Sequence, residues 1–131
     1  MATRSNIGAR QNDGTIKVIY CHWDGYPEGV GATLAEHYTE PAKVEALLNL
    51  GDFSSLGSTI EETYAGSYAQ RGEVGTEART YQNEDEWTES ALLSDAEYLY
   101  LFEFNKYTDS HEWIFFSVFP RWHKIPTKVM A

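Results

Sequence analysis

The sequence predicts a single α+β domain, with an antiparallel sheet of four or more strands and two helices packed on one face. Alternating apolar residues typical of strands occur near both ends of the chain, and segments with helical spacing lie between them. The order of these segments favours an antiparallel sheet with its helices on one face. The 131 residues fit one domain, residues 1–131, because domains of about 100–200 residues are the usual size.

Two strands are predicted at the start of the chain, Ser5–Arg10 and Thr15–His22. Asp13 and Gly14 lie between them, and an Asp-Gly pair favours a hairpin turn because both residues tolerate a positive φ. The second strand is largely apolar on both faces. This pattern predicts a position in the interior of the sheet.

Two helices are predicted next, Glu28–Tyr38 and Ala42–Leu50. In the first, apolar residues recur at four-residue intervals, which places them on one helix face. Pro41 suits the first turn of the second helix, where its missing N–H has no intrahelical partner to lose. Gly51 favours the end of that helix.

The rest of the chain divides into a weakly patterned part and a clear hairpin. Within residues 52–97, Asn83 is predicted to cap a short helix whose first turn carries three acidic residues. Two aromatic-rich strands, Tyr98–Asn105 and Glu112–Phe119, are separated by six residues and are predicted to form an antiparallel hairpin. A mildly basic tail, residues 121–131, follows.

The composition excludes several classes of protein. Apolar residues make up 42% of the chain and aromatic residues 15%, which excludes a disordered chain. No apolar run approaches the length of a membrane span, and the first residues lack the apolar stretch of a secretion signal. The single cysteine, Cys21, cannot form an internal disulfide and fits a reducing cytoplasm.

The net charge of −10 is concentrated in the middle of the chain, where residues 51–97 carry 2 basic and 11 acidic residues. Such a surface repels nucleic acid and anionic membranes and attracts a basic partner. The simpler interpretation is that acidic charge keeps the protein in solution. The candidate partner-binding residues are the carboxylates Glu61, Glu62, Glu73, Glu77, Glu84, Asp85, Glu86 and Glu89.

The most distinctive stretch, residues 20–31, lies between a predicted strand and a predicted helix and is called the turn segment below. A structural interpretation explains most of it. Trp23 and Tyr26 anchor the turn in the core, Asp24 caps the turn by binding its backbone N–H groups, and Pro27 fixes the helix start. The glycines of the segment allow the helix and the sheet to approach closely.

Chemical interpretations of the turn segment are weaker. A glycine-rich turn before a helix can bind phosphate, but the segment holds no Lys or Arg and lacks a phosphate-loop spacing. His22, Asp24 and His37 are possible metal ligands without a recognised motif. Cys21 and His22 would point to opposite faces of a strand and could not form a catalytic pair. We expect no catalytic residue, metal or cofactor. The candidate ligand-binding residues are Arg4, Tyr20, His22, Trp23, Asp24 and Tyr26.

The beginning of the chain resembles a set of small proteins encoded by phages and prophages. These proteins begin with a Thr-Arg pair, here Thr3 and Arg4, and carry a His-Trp-Asp-Gly-Tyr-Pro motif, here residues 22–27. The resemblance covers roughly residues 3–57, and the later aromatic hairpin is similar more loosely. It implies a setting, the cytoplasm of an infected or lysogenic bacterium, but no catalytic residue.

Three functions follow as hypotheses. The leading one is a non-enzymatic phage accessory protein that binds and inhibits a bacterial host factor through its acidic surface, as anti-CRISPR proteins and other nucleic-acid mimics do. Nucleases, polymerases and CRISPR effectors have suitable basic surfaces. The second is a protein that binds a nucleotide signal at the turn segment, where aromatic side chains could stack a base. The third is a hydrolase, although no nucleophile, acid–base pair or metal set has a recognised spacing.

Self-association is a further possibility. A second copy of the chain could pair with the edge of the aromatic hairpin, because an edge strand offers unpaired backbone groups.

Overall fold

The structure is a computed structural model that describes residues 2–117 and 127–128. Within these residues six strands form one sheet: β1 (Ser5–Arg10), β2 (Ile16–Cys21), β3 (Arg79–Tyr81), β4 (Tyr98–Asn105), β5 (Ser110–Ser117) and β6 (Thr127–Lys128). The described helices are α1 (Ala32–His37), α2 (Pro41–Asn49), α3 (Ile60–Tyr64) and α4 (Glu84–Leu93). A π-helical turn, Pro27–Gly31, leads directly into α1.

The sheet is mixed, with the strand order β3-β2-β1-β4-β5-β6. The predicted α+β class is confirmed, and the sheet is mostly antiparallel as predicted. The exception among these strands is the pair β1 and β4, which runs parallel. The chain crosses the sheet through α4 before β4 begins, which returns it to the end where β1 starts. There the Glu97 N–H donates to the Arg4 carbonyl (2.8 Å). Such a crossover connection is what parallel strands require.

Helices cover both faces of the sheet. The π-helical turn, α1 and α2 pack on one face, where the largest buried side chains are Ile7, Ile19, Leu34, Tyr38, Leu47, Leu48, Phe53 and Tyr100. On the other face α4 packs Trp87 and Ala91 against Ile16, Val18, Leu99 and Leu101. Helices α1 and α2 therefore pack on one face, as predicted. The prediction did not place α4 on the opposite face.

The local turn and cap signals are confirmed. Gly14 has φ +90° in the turn between the antiparallel strands β1 and β2. The Asn83 Oδ1 accepts the Glu86 N–H (2.9 Å) and begins α4. Strand β2 lies between β1 and β3, as its two apolar faces predicted.

Several element ends differ from the predictions. Strand β2 is one residue shorter at each end than predicted, and the His22 N–H just beyond it donates to the Phe53 carbonyl of a loop segment (3.3 Å). The helix predicted from Glu28 starts as the π-helical turn at Pro27 and becomes α-helical only at Ala32. Helix α2 begins at Pro41 itself.

The C-terminal hairpin of β4 and β5 is antiparallel, as predicted. Strand β5 begins at Ser110. Residues 118–119, which were predicted to belong to this strand, lie outside the described residues. The predicted tail, residues 121–131, also lies outside them apart from β6. Strand β6 pairs with Ile114 and Phe115 of β5, so this part of the hairpin edge is already occupied. Among the described helices, none has the length and apolar character needed to cross a membrane.

Trp87 is expected to contribute most of the stability of the face that α4 covers. Its side chain is fully buried, and its Nε1–H donates to the Asn6 Oδ1 of β1 (3.0 Å). Trp87→Ala should lower the free energy of unfolding by about 3–5 kcal/mol, because the substitution leaves a cavity and an unpaired buried carboxamide. Urea denaturation followed by circular dichroism measures this.

Leu93→Ala provides a control on the same helix. Leu93 is exposed, so its truncation should change the free energy of unfolding by no more than about 0.5 kcal/mol. Similar losses for the two variants would contradict the assigned packing of α4.

Candidate functional site

The turn segment is held to the sheet by hydrogen bonds to the backbone of Gly25. The Gly25 N–H donates to the Thr3 carbonyl (2.9 Å), and the buried Tyr100 hydroxyl donates to the Gly25 carbonyl (2.6 Å). A Cβ atom on Gly25 would lie 2.6 Å from the Thr3 oxygen and 2.8 Å from the Ser5 Cβ. Glycine is therefore required for the turn to lie this close to the start of β1.

The start of the π-helical turn depends on the backbone of Asp24 rather than on its side chain. The Asp24 carbonyl accepts the Val30 N–H (2.8 Å), and its φ of +58° reverses the chain. The Asp24 carboxylate accepts the Tyr26 hydroxyl (3.2 Å), and no side chain caps this turn. The prediction that Pro27 begins the helix is confirmed, whereas the prediction of Asp24 as a side-chain cap is wrong.

Trp23 and Tyr26 lie on the surface, with 44% and 39% of their surface exposed. The expectation that they anchor the turn in the core is wrong. The buried anchors are Val30 of the turn segment and Tyr100 of β4. Trp23 is held through its backbone, because its N–H donates to the Ser54 carbonyl (2.9 Å). An exposed indole on a fixed backbone is available for contact with another molecule.

Cys21 belongs to the core beneath α1 and α2, and His22, the next residue, points to the opposite face of the sheet. The Cys21 Sγ lies 3.5 Å from the Trp23 carbonyl oxygen and 3.8 Å from that of Ser54. Burial raises the pKa of the thiol to about 12, so very little thiolate exists at neutral pH. Cys21 and His22 therefore do not form a nucleophilic pair.

Beyond the end of β3, two loop segments continue the sheet beside β2. The Phe53 N–H donates to the Tyr20 carbonyl (3.0 Å), and the Tyr68 N–H donates to the Asp52 carbonyl (3.1 Å). Phe53 is buried on the same face as Cys21. Because side chains alternate along a strand, Tyr20 and His22 face the opposite side of the sheet from Cys21. By the same alternation, Tyr68 also faces that side.

These segments bring together a group of polar and aromatic side chains that we call the arginine–tyrosine cluster: Arg4, Tyr20, His22, Trp23, Tyr68 and Arg71. The Tyr20 hydroxyl and the His22 Nδ1 are 2.7 Å apart. The edge of the His22 ring contacts the Trp23 ring, with centroids 4.7 Å apart and planes at 86°. The Arg71 guanidinium lies 4.5 Å from the centre of the Tyr68 ring.

Arg4 enters the cluster through the register of β1 and β2. Ser5 pairs with Cys21 and Asn6 with Tyr20, so Arg4 lies beside the end of β2 on the face that carries Tyr20. Burial raises the pKa of Tyr20, and the nearby Arg4 guanidinium partly opposes that shift. Burial also raises the pKa of Tyr68, with Arg71 acting in the opposite direction. The two phenols are therefore neutral hydrogen-bonding groups at physiological pH.

Asp52 supports this end of the sheet. Its carboxylate accepts the Tyr20 N–H and an N–H of Arg79, each at 2.8 Å. Burial raises the pKa of Asp52, and the hydrogen bond from Arg79 opposes that shift. Arg79 is thus paired with the Asp52 carboxylate. The hydrogen bond from the Tyr20 N–H lets Asp52 also hold the strand that carries Tyr20 in position.

The eight candidate carboxylates do not form one surface. Glu61 and Glu62 lie on α3, which packs beside α2. Glu73 and Glu77 lie in the loop before β3. The remaining four lie on α4, on the opposite face of the sheet from α1 and α2, and are called the α4 carboxylates below: Glu84, Asp85, Glu86 and Glu89.

Several of these carboxylates also have local partners. The Glu62 carboxylate accepts the Ser58 hydroxyl (2.8 Å) and, in a capping box, the Thr59 N–H (3.1 Å), and these hydrogen bonds lower the pKa of Glu62. The Glu84 carboxylate pairs with Arg10 (2.6 Å). The Glu86 Oε1 accepts the Gln82 N–H (3.1 Å), and Glu73 lies 3.6 Å from Arg71.

Of the six candidate ligand-binding residues, the structure brings four into the arginine–tyrosine cluster. Asp24 and Tyr26 instead pair with each other. Sequence analysis missed Tyr68 and Arg71, which join the cluster only through the loop pairing beside β2. In the part of the chain that is described, no group of three metal-binding side chains is present, so the candidate ligands His22, Asp24 and His37 do not converge.

No protein-family model matches this chain, and the comparisons with curated proteins and with solved structures find no significant match. The function must therefore be argued from the surfaces themselves.

Gly25→Ala is expected to destabilise the turn segment. The added methyl would clash with the backbone before β1, which should lower the free energy of unfolding by about 3 kcal/mol, the upper part of the range for overpacking. Gly72→Ala is a suitable control because a Cβ there meets no atom within 4 Å, and only its φ of +92° is unfavourable, at about 1 kcal/mol. Thermal and urea unfolding compare the two variants. Equal losses would contradict the close approach at Gly25.

Cys21 should resist alkylation in the folded protein. With a pKa of about 12, roughly one thiol in 10,000 is ionised at pH 8, against about one in four or five for an unfolded cysteine. Iodoacetamide at pH 8 should therefore modify the chain rapidly in urea and very slowly without it, as measured by intact-protein mass spectrometry. Because the chain has one cysteine, a single mass shift reports the reaction, and fast labelling of the folded protein would contradict the assigned burial.

Proposed function

We propose that this chain is a non-enzymatic binding protein that recognises a basic surface of a bacterial host protein through the α4 carboxylates. The observation that carries the proposal is that Asp85, Glu86 and Glu89 are exposed on one short helix. Several carboxylates on one helix can interact with several Lys or Arg side chains at once, which favours recognition of a basic groove.

The helix is a firm support for such recognition. Asn83 caps its start, and Trp87 fixes it to β1 through a buried hydrogen bond with Asn6. Carboxylates on a rigid element lose less conformational entropy on binding than those on a loop. The position of α4 on the sheet therefore supports binding without rearrangement.

The charge balance near α4 also supports the proposal. The nearby guanidinium, Arg10, contacts both Glu84 (2.6 Å) and Glu103 (3.3 Å). One guanidinium is thus shared by two carboxylates near the start of α4, which leaves this group of three side chains with a net negative charge. A basic partner would be drawn to the acidic helix at low salt.

The resemblance of residues 3–57 to phage and prophage proteins supplies the setting of the proposal. In an infected bacterium the partner would be a nucleic-acid-processing or antiviral-defence protein, such as a CRISPR effector. The α4 carboxylates would occupy the basic groove that normally holds nucleic-acid phosphates. Inhibition would follow from this occupation, without a chemical step.

Charge reversal on α4 tests the proposal. Tagged protein is incubated with bacterial lysate at low salt, and the recovered complexes are analysed by native mass spectrometry. A stoichiometric host protein should be recovered with the unchanged chain and lost at raised salt, because exposed ion pairs are screened. The double variant Asp85→Lys, Glu89→Lys should lose at least 90% of that recovery.

The matched control is the double variant Glu36→Lys, Glu61→Lys. It makes the same change in net charge on exposed residues of α1 and α3, on the other face of the sheet. This control should retain the partner. Equal loss in both variants would show a response to net charge alone, and retention in the α4 variant would refute the role of α4.

A further inference from the structure

Arg4 stands out among the described arginines because it has no carboxylate partner. Arg10, Arg71 and Arg79 each form an ion pair, whereas no described carboxylate pairs with Arg4, in a chain that has 20 acidic residues. The Arg4 side chain is half-buried just before the start of β1. A half-buried guanidinium without a counter-ion favours the binding of an external anion.

The neighbours of Arg4 add uncharged hydrogen-bond donors. The Tyr20 hydroxyl and the His22 ring each carry a donor hydrogen, and one of these is used in the 2.7 Å hydrogen bond between them. The other remains available in either tautomer of the ring. The Tyr68 side chain lies on the same side of the sheet and is close enough to Tyr20 to help raise the pKa of that phenol, after the larger effect of burial. An anion with several acceptor oxygens matches these donors.

Trp23 adds a planar apolar surface next to the donors. The His22 ring contacts the Trp23 ring edge-on, with the two planes at 86°. Of the Trp23 surface, 44% remains exposed. The backbone hydrogen bond to Ser54 fixes its position. Indole rings bind nucleobases by stacking, whatever the identity of the base.

We propose that the arginine–tyrosine cluster binds a nucleoside phosphate, with the phosphate beside Arg4 and the phenols and the base stacked on Trp23. A phosphate group provides the negative charge and the multiple acceptors that the donors require, and a base provides the flat surface that fits Trp23. Arg71 lies at the outer edge of the cluster, where Glu73 partly neutralises it. This site goes beyond the proposed recognition by α4 and uses none of the α4 carboxylates.

Isothermal titration of the purified full chain tests the site. The probes are AMP, UMP, adenosine, ribose 5-phosphate and inorganic phosphate. AMP and UMP should bind with similar affinity, because stacking is tolerant of the base. Adenosine and ribose 5-phosphate should each bind at least tenfold more weakly than AMP, because each lacks one of the two recognised groups.

Two substitutions assign the two halves of the site. Arg4→Gln should weaken AMP binding about tenfold or more, the effect of a lost charge-assisted hydrogen bond, while Arg4→Lys should restore part of it. Trp23→Ala should weaken binding of AMP by a similar factor and leave that of ribose 5-phosphate unchanged. Because Trp23 is exposed, the thermal unfolding midpoint of the Trp23→Ala variant should stay close to that of the unchanged chain.

Lys106→Gln is the matched control for Arg4→Gln. Lys106 is exposed in the turn that follows Asn105. The β1–β4 register aligns Ser5 with Tyr98 and Ala9 with Phe102, so Lys106 lies at the far end of the sheet from Arg4. This variant loses the same charge and should bind AMP normally.

Three outcomes would overturn the proposal. They are absence of AMP binding at millimolar concentration, equal weakening by Arg4→Gln and Lys106→Gln, and tighter binding of a phosphotyrosine peptide than of AMP, which would indicate a protein ligand. The result is separable from the α4 proposal. Asp85→Lys, Glu89→Lys should leave AMP binding unchanged, and Arg4→Gln should leave recovery of the host protein unchanged.

Discussion

The parallel pairing of β1 with β4 organises this fold. It joins the first hairpin to the aromatic hairpin in one sheet and places Tyr100 beneath the turn segment. The same pairing brings Glu103 of β4 beside Arg10 of β1. Because parallel neighbours need a long crossover, the chain between β2 and β4 is available to cover both faces of the sheet.

The turn segment combines structural and exposed residues without conflict between them. Gly25 and Val30 are buried and bonded through the backbone, whereas Trp23 is fixed by its own N–H and leaves its ring in contact with solvent. Strand alternation just before the turn sends Cys21 into the core and the flanking side chains, Tyr20 and His22, to the opposite face. The backbone of the turn segment thus holds the fold together, and its exposed side chains form part of a surface.

Two chemically different surfaces result on one side of the sheet. The α4 carboxylates lie on the helix that covers part of that side, and the arginine–tyrosine cluster lies where β1 starts and β2 ends. Arg79 and Asp52 are paired at this end, which leaves Arg4 as the charged group without a described counter-ion. The opposite signs of the two surfaces favour different ligands, a basic protein at α4 and an anion at the cluster.

Short stretches of sequence were enough to predict the local features of this protein. These are the hairpin turn at Gly14, the cap at Asn83, the two helices before residue 51, the aromatic hairpin and the acidic middle of the chain. These depend on neighbouring residues, for which periodicity, turn preference and capping are direct physical causes. Four residues of the cluster were also among the candidates, because they adjoin or belong to the strands that were recognised.

Other features become visible only in the folded chain. These are the parallel pairing, the position of α4 on the second face, the exposure of Trp23 and the addition of Tyr68 and Arg71 to the cluster. The fold also divides the acidic residues between the two sides of the sheet. Each of these depends on contacts between residues far apart in the chain. Such contacts are selected by the packing of the whole core, which no short stretch of sequence specifies.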